Sequence, residues 1–229
     1  MAKKKLQRFG EINTFPNVVQ PGTEGWHFFP PSDYRLKGRW NSEHFGRQAP
    51  LVLELGCGKG EYTIHLAEKH PDKNFIGIDL KGNRIWRGAK TALEKKLNNA
   101  AFLRTQIEQI HYLFAPGEVS EIWITFPDPQ PQNDRAKKRL TSPAFIERYR
   151  SILQKGGSVH LKTDHEPLYR YTLDVINDMG LILLDSTDDL YGSRPATQTT
   201  REEAAAVQTF YESQFLKEGK KICYLKFKI

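Results

Sequence analysis

From Pro50 onward, short apolar runs alternate with longer segments in which apolar residues recur at helical spacing. Residues 51–55 are the first apolar run, and residues 83–97 carry apolar side chains three or four positions apart, beginning with Ile85 and Ala89. Such alternation is typical of βαβ units around a parallel sheet. The pattern therefore predicts an α/β fold with a mostly parallel, seven-stranded sheet flanked by helices. The predicted strands are 51–55, 74–80, 101–105, 122–126, 158–163, 181–185 and 222–227, and the predicted helices are 61–69, 83–97, 143–153, 169–179 and 201–217.

Residues 1–48 have a different pattern, rich in proline, glycine and aromatic residues interleaved with basic ones. We expect them to form an irregular N-terminal arm, followed by one domain over residues 49–229. The aromatic and basic residues of this arm include Trp26, His27, Phe28, Phe29, Tyr34, Arg35, Lys37, Arg39 and Trp40.

The chain carries 34 Lys and Arg against 27 Asp and Glu, a formal net charge of +7. This sign indicates an anionic partner, for which nucleic acid is the leading candidate, although a generic basic protein has the same composition. No apolar run approaches the eighteen residues that a membrane span needs, and no apolar segment follows the N-terminus. The two cysteines and seven histidines lack disulfide or metal-ligand spacing. The expectation is a cytoplasmic protein without a metal.

A glycine-rich segment lies between the first predicted strand and the first predicted helix. Gly56, Gly58 and Gly60 are followed, 21 residues after Gly58, by Asp79 at the end of the next predicted strand. Such glycines let a ligand approach the backbone, and an acid at this distance accepts hydrogen bonds from ribose hydroxyls. The spacing suits both nicotinamide dinucleotides and S-adenosylmethionine.

Two glutamates favour the second cofactor. Glu61 stands where nicotinamide-binding domains have a third glycine, and a carboxylate there would oppose a pyrophosphate at the helix start. Glu54 adds a carboxylate that suits the cationic sulfonium and amino groups of S-adenosylmethionine. The run Glu54 to Gly60 with Asp79 resembles motif I and its acidic partner in Rossmann-like methyltransferases.

A Phe-Pro-Asp-Pro sequence at residues 126–129 ends the fourth predicted strand. Pro127 and Pro129 restrict the backbone on both sides of Asp128. Strand ends of this kind bind ligands in open α/β sheets. Asp128 is therefore a candidate for the active site.

Four motifs occur in a fixed order: Phe-Pro-Asp-Pro at 126–129, Lys-Lys-Arg-Leu at 137–140, Thr-Asp-His-Glu at 163–166 and Thr-Phe-Tyr-Glu at 209–212. Together they resemble the bacterial single-chain tRNA (guanine-N7-)-methyltransferases over roughly residues 50–229. The resemblance implies a Rossmann-like class I methyltransferase that uses S-adenosylmethionine to methylate N7 of a guanine in tRNA, at position 46 of the variable loop. Both a monomer and a homodimer are compatible with it.

The resemblance also implies roles for individual residues, with Asp128 as the catalytic one. Cofactor binding is assigned to Glu54, Gly56, Gly58, Gly60, Asp79, Gln106, Ile107 and Asp128. Substrate binding is assigned to Gln132, Lys137, Lys138, Arg139, Asp164, Thr209, Phe210, Tyr211 and Glu212. Two positions depart from the family: Gln106 replaces an acid, so that the adenine contact there would use an amide or the adjacent backbone, and Gln132 replaces a lysine.

The chemistry is compatible with these residue types. Guanine N7 has a lone pair and no proton, so methylation needs no strong general base, and alignment supplies most of the rate. A carboxylate such as Asp128 could stabilise the positive charge that develops on the purine ring, or orient the base by accepting hydrogen bonds from N1 or N2. Other possibilities are a methyltransferase for another RNA position or an exocyclic amine, a non-catalytic RNA-binding module, and a nicotinamide oxidoreductase.

Overall fold

The computed structural model describes residues 2–21, 34–192 and 199–229. The strands are β1 (Val18–Val19), β2 (Leu51–Leu55), β3 (Asn74–Asp79), β4 (Ala100–Arg104), β5 (Val119–Thr125), β6 (Leu153–Thr163), β7 (Ile182–Thr187) and β8 (Cys223–Lys228). The α-helices are α1 (Ala2–Ile12), α2 (Glu61–Lys69), α3 (Gly82–Glu94), α4 (Ile110–Leu113), α5 (Pro143–Arg150), α6 (Glu166–Asp178), α7 (Thr199–Ala206) and α8 (Phe210–Lys217). Trp40–His44 is π-helical, and Ile107–Gln109 and Asn133–Lys138 are 3-10 helical.

The eight strands in the described part of the chain are hydrogen-bonded in the order β1-β4-β3-β2-β5-β6-β8-β7. Strands β1, β4, β3 and β2 pair in parallel, whereas β8 is antiparallel to β6 and β7. The predicted α/β fold is therefore confirmed. The sheet has one strand more than the seven expected, because Val18–Val19 pairs with β4 and two residues are too few to show a strand period.

The described residues form two compact units. The first contains those of Met1–Ile122 with Ser151–Lys155, and the second those of Trp123–Arg150 with Gly156–Ile229. In the first unit, β2 and β3 are buried along their whole length, and α3 buries Ile85, Ala89 and Ala92 on one face. A domain boundary at residue 49 stays a prediction.

The N-terminal segment is more regular than expected, because Ala2–Ile12 is helical. The run of alanine, lysine, leucine, glutamine and arginine that begins this segment has high helix propensity. The indole nitrogen of Trp86 in α3 donates to the Glu11 carboxylate at 2.7 Å. Further along, the buried Trp40 donates to the Leu113 carbonyl at 2.9 Å. The aromatic residues Trp26, His27, Phe28 and Phe29 lie outside the described residues.

In the second unit, β8 lies between β6 and β7. Trp123 stacks on His160 with ring centroids 3.9 Å apart, and His160 is hydrogen-bonded to the Tyr224 hydroxyl at 2.8 Å. The helix predicted over 201–217 is instead two helices, α7 and α8. The helix is interrupted between them because the Thr209 side chain caps the start of α8 by accepting from the Glu212 backbone nitrogen.

Candidate functional site

The glycine-rich segment forms a tight loop between β2 and α2. Gly56, Gly58 and Gly60 have φ of +74°, +56° and +71°, the left-handed region that favours glycine. The backbone nitrogens of Gly56 and Cys57 both donate to the Ile78 carbonyl, at 2.8 and 3.0 Å. The loop is therefore held against the end of β3 by backbone bonds, and Gly56 and Gly58 leave its backbone open to a ligand.

Asp79 shapes this loop directly. The residue is 8% exposed, and its carboxylate accepts from the Gly58 nitrogen at 3.0 Å and the Lys81 nitrogen at 2.8 Å. Because a carboxylate has about four acceptor positions, these two bonds leave capacity for further hydrogen bonds. Asp79 thus stands where the sequence places a ribose acceptor, and it also orients the glycine loop.

Glu54 is buried at the end of β2. Its carboxylate accepts from the Thr63 backbone nitrogen at 2.8 Å and from the Thr63 hydroxyl, which ties it to the first turn of α2. Burial raises the pKa of the Cys57 thiol well above its usual value, and the negative charges of Glu54 and Asp79 raise it further. Two carboxylates, Glu54 and Asp79, therefore flank the loop, an arrangement that suits a cationic ligand.

Gln106 and Ile107 follow β4, the neighbour of β3. Asp79 is in register with Arg104, the last residue of β4. The Gln106 side chain is exposed and Ile107 is half-buried at the start of a 3-10 turn. Since β2, β3 and β4 are parallel, the glycine loop, Asp79 and Gln106 lie at the same edge of the first unit.

In the second unit, the Pro-Asp-Pro turn has an unusual backbone. Phe126 and Gln130, on either side of it, have φ of +47° and +45°, a conformation that is costly for residues other than glycine. The exposed Asp128 carboxylate accepts from the Gln130 nitrogen at 3.1 Å, and the Phe126 nitrogen donates to the Lys162 carbonyl at 2.8 Å. Backbone strain of this kind is characteristic of functional sites.

The basic segment that follows has two kinds of residue. Gln132, Lys137 and Lys138 are exposed. Arg139 is half-buried, donates from Nε to the Gln130 carbonyl at 3.2 Å and lies with its guanidinium carbon 4.3 Å from the Tyr171 ring centroid. Arg139 therefore supports the Asp128 turn, whereas the two lysines present their charges to solvent.

The other substrate-side residues differ in exposure. Asp164, half-buried after the end of β6, has a carboxylate oxygen 3.4 Å from the Lys220 nitrogen. Phe210 and Tyr211 are 54% and 55% exposed. Glu212 is fully buried, and its carboxylate forms a capping box with the half-buried Thr209. The Thr-Phe-Tyr-Glu motif thus presents its aromatic residues outward and its glutamate inward.

Two residues around Glu212 were missed by the sequence reasoning. Lys162, near the end of β6, is fully buried with its nitrogen 2.7 Å from the Glu212 carboxylate. The Tyr191 hydroxyl donates to the same carboxylate at 2.7 Å. The strand that holds Lys162 also contains the polar residues Ser158, His160 and Thr163, so the sequence carried no signal that this lysine is buried.

Within the described residues, no group of three or more His, Cys, Asp or Glu side chains could hold a metal ion. Over the same ranges, none of the helices has the length and apolar character needed to cross a bilayer.

Similarity to other proteins extends over most of the chain. A family described as putative methyltransferases matches residues 48–225. A tRNA (guanine-N(7)-)-methyltransferase of Christiangramia forsetii is 52% identical over 228 residues, which cover 100% of this chain and 99% of the relative. An enzyme of the same name from Levilactobacillus brevis is 36% identical over 184 residues, 80% of this chain and 82% of the relative.

Solved structures agree with the fold. The 16S rRNA methyltransferase KamB superposes with a TM-score of 0.61 over 90% of this chain and 96% of its own, at 16% identity. An antibiotic-related methyltransferase gives a TM-score of 0.60 over 91% and 98% of the two chains, also at 16% identity. At such identities the likeness concerns the fold alone.

The mostly parallel sheet and the acid-flanked glycine loop, together with the family match over residues 48–225, place the chain in the class of Rossmann-like methyltransferases. Within that class, the chain belongs to the bacterial tRNA (guanine-N(7)-)-methyltransferase family, since a relative of that name shares more than half of its residues over nearly the whole of both chains.

Proposed function

We propose that this protein transfers a methyl group from S-adenosylmethionine to N7 of a guanine in tRNA, with guanine 46 of the variable loop as the target. The observation that carries the proposal is the 52% identity, over nearly the whole of both chains, to the relative from Christiangramia forsetii. The place of action would be the cytoplasm, and the active form a monomer or a homodimer.

The first unit has the features that S-adenosylmethionine requires. Gly56 and Gly58, where an added Cβ would meet no atom closer than 4.0 Å, leave the loop backbone open to a ligand. The carboxylates of Glu54 and Asp79 beside the loop match the positive charges of a sulfonium and an amino group. Bound there, S-adenosylmethionine supplies a methyl group activated by positive sulfur. The residues that would hold it are Glu54, Gly56, Gly58, Gly60, Asp79, Gln106 and Ile107, with Asp128 as a further contact.

Asp128 is the proposed catalytic residue. Its carboxylate is exposed and accepts from the Gln130 nitrogen, and Phe126 at the start of the turn donates to the Lys162 carbonyl, so that little reorganisation is needed when a base binds. A negative charge held near the purine would stabilise the positive charge that the ring gains, or accept hydrogen bonds from N1 and N2. No proton has to leave N7, so Asp128 is not required to act as a base.

Binding of tRNA is assigned to the second unit. The exposed Lys137 and Lys138 follow the Asp128 turn, and lysines in such a position attract phosphates. Phe210 and Tyr211 offer exposed aromatic rings on which unstacked bases can pack. Asp164, Thr209 and Gln132 complete the proposed substrate contacts.

The test is incubation of the purified protein with unmodified tRNA transcripts and labelled S-adenosylmethionine, followed by identification of the labelled nucleoside. The expected product is N7-methylguanosine in the wild-type transcript and none in a transcript with adenine at position 46. If the label appeared in another nucleoside, that nucleoside would be the target instead of guanine 46. Cofactor binding, measured by calorimetry, with no methylation of any RNA would favour a non-catalytic RNA-binding module.

A further inference from the structure

A series of side-chain contacts in the second unit leads from α6 to the Asp128 turn. The Tyr171 ring in α6 lies against the Arg139 guanidinium, whose carbon is 4.3 Å from the ring centroid. Arg139 donates from Nε to the Gln130 carbonyl at 3.2 Å. The Gln130 nitrogen donates to the Asp128 carboxylate at 3.1 Å. The aromatic ring on the helix is therefore linked, through two intermediate residues, to the carboxylate of the turn.

Gln130 is the member of this series that needs support. Its φ of +45° lies in the left-handed region, which is costly for a residue with a Cβ. Its nitrogen orients Asp128 while its carbonyl is held by Arg139, so the two bonds restrain both backbone dihedrals of the same residue. A sparsely populated conformation persists only where its surroundings determine it. Loss of the Arg139 bond would therefore let Gln130 relax and release Asp128.

The backbone from which Arg139 projects is anchored to two helices. The Thr141 hydroxyl is hydrogen-bonded to the Thr172 hydroxyl in α6 at 2.8 Å, and both residues are buried. The Tyr149 hydroxyl in α5 donates to the Leu140 carbonyl at 2.7 Å. The two residues directly after Arg139 are thus fixed, and the arginine side chain extends from a stable base.

Tyr171 determines where the guanidinium lies. It precedes Thr172 in α6, so the helical turn that holds Thr141 also presents the aromatic ring. Tyr171 and Arg139 are both half-buried. A cation is attracted to the face of an aromatic ring, more strongly where water is partly excluded. Because a free arginine side chain has many rotamers, this contact reduces the entropy lost when Arg139 binds the Gln130 carbonyl.

We propose that Tyr171 is a positioning residue for methyl transfer, which acts through Arg139 and Gln130 to hold the Asp128 carboxylate in place beside the guanine. This role rests on the proposed methylation of tRNA. It is compatible with an RNA contact by Arg139, because the bond to Gln130 uses one of the five guanidinium donors. Tyr171 itself lies outside the four sequence motifs of the chain.

The test compares Tyr171→Leu, Tyr171→Phe, Arg139→Met and the double variant with Leu and Met. Leucine removes the aromatic face, whereas phenylalanine keeps it. Methionine removes the charge and the donors of the arginine but retains an unbranched, flexible side chain. The measurements are the single-turnover rate of methylation at saturating tRNA and cofactor, the Kd for tRNA, and thermal unfolding to establish the folded fraction.

Arg148→Met is the matched control for the arginine variant. Arg148 also lies beside an aromatic ring, with its guanidinium carbon 5.1 Å from the Phe145 ring centroid. It also donates to a backbone carbonyl, that of Ala144 at 2.8 Å. Its substitution changes the net charge equally, but the carbonyl that it binds is in α5 and not in the Asp128 turn.

We expect Tyr171→Leu to lower the single-turnover rate about tenfold, because a small displacement of a reacting group is enough to cost up to about a hundredfold. The Kd for tRNA should stay within about twofold of wild type, and Tyr171→Phe should restore the rate. Arg139→Met should lower the rate at least as much. The double variant should be no slower than Arg139→Met, since Tyr171 acts through Arg139. Arg148→Met should have the wild-type rate.

A wild-type rate in folded Tyr171→Leu would overturn the proposal, as would a double variant slowed by the product of the two single effects. Equal slowing in Arg148→Met and Arg139→Met would do the same, because it would show that charge alone matters. If Tyr171→Leu does not fold, Arg139→Met decides: weaker tRNA binding with an unchanged rate at saturation would reduce Arg139 to a phosphate contact. Failure of the proposed function is distinguishable, because the wild-type protein itself would then make no N7-methylguanosine.

Discussion

The glycine loop of the first unit and the Pro-Asp-Pro turn of the second are both short connections after a strand, but different forces hold them. The glycine loop has left-handed φ at three glycines and is bound by its own backbone and by Asp79. The turn places Phe126 and Gln130, which are not glycines, in the same region of φ. It is supported from elsewhere, by Arg139 and by Lys162.

This difference separates two ways of building a site. In the glycine loop, the residue type itself permits the conformation, and strain is small. In the turn, two strained residues cost roughly 1–2 kcal/mol each, and the surrounding contacts must offset that cost. Substitutions in the loop should therefore act through sterics and φ, and substitutions around the turn through lost side-chain contacts.

The largest effect is expected at the turn. Asp128→Ala should lower kcat about a hundred- to a thousand-fold, the usual consequence of removing one electrostatic contact to a developing charge. Cofactor affinity should also fall if Asp128 contacts S-adenosylmethionine as the family motif implies. Steady-state kinetics with tRNA and calorimetry with the cofactor measure the two effects separately.

Asp128→Asn is the matched variant, because its amide oxygen can still accept from Gln130 and preserve the turn. If the charge itself is required, Asn should be as slow as Ala. If Asp128 orients the base through hydrogen bonds, Asn should retain intermediate activity. Unchanged kcat in both variants would remove Asp128 from the catalytic machinery.

The next effect is expected in the glycine loop. A Cβ at Gly60 would lie 2.5 Å from the Phe102 ring, at a φ of +71°. Gly60→Ala should therefore lower the free energy of unfolding by about 2–4 kcal/mol, the sum of backbone strain and overpacking. Urea denaturation measures this loss, and binding of S-adenosylmethionine should weaken with it.

Gly56→Ala is the control for strain alone. Its φ is +74°, but nothing lies within 4 Å of an added Cβ. It should cost only about 1–2 kcal/mol. Equal losses of stability in the two variants would show that the clash with Phe102 relaxes and that φ alone sets the requirement for glycine.

The same contrast explains which parts of the site could be predicted from the sequence. The glycine loop and Asp79 are defined by local spacing, and the structure places them together at the edge of parallel strands. Asp128 became the catalytic candidate because its flanking prolines are a local signal, and its role stays a prediction. Burial of Glu212 was not foreseen, because its partner Lys162 lies 50 residues away and no local pattern pairs them.

Limits of local patterns also appear in the fold. The predicted helix over 201–217 is broken because Thr209 and Glu212 form a capping box inside a sequence with helical propensity throughout. Helix α1 was missed because the prolines and glycines that follow it dominate the composition of the arm. In both cases a local feature, a helix cap or a short helical segment, decides the secondary structure against the average helix propensity of the surrounding residues.

A smaller effect is expected for the exposed lysines beside the turn. Substituting both Lys137 and Lys138 with Gln should raise the KM for tRNA several-fold. It should also lower the slope of log KM against log salt concentration by roughly 1–2, because each phosphate contact contributes up to about 0.9 to that slope. Substituting Lys69 and Lys155, two exposed lysines of the first unit, changes the net charge equally and is the control. An equal effect of both pairs would show that overall charge, and not the segment beside the turn, attracts tRNA.

The smallest effect concerns the two cysteines, one in each unit. Burial raises the pKa of both thiols, and the acids of the glycine loop add to the shift at Cys57. An unfolded thiol titrates near pH 8.5, so the folded protein binds more protons above that pH. The stabilising contribution of each thiol is therefore complete below about pH 8.5 and declines as the pH rises through the folded pKa.

For Cys223 the decline ends near its folded pKa of about 11, and burial also raises the pKa of Cys57 well above its usual value. The free energy of unfolding of the wild type, relative to Cys57→Ala, should fall by roughly 1 kcal/mol per pH unit above pH 9. Cys223→Ala provides the matched comparison, and urea denaturation from pH 7 to 10 measures both. Rapid reaction of Cys57 with a thiol reagent in the folded protein at pH 8 would contradict this expectation, since it would show that burial and the neighbouring acids do not suppress the thiolate.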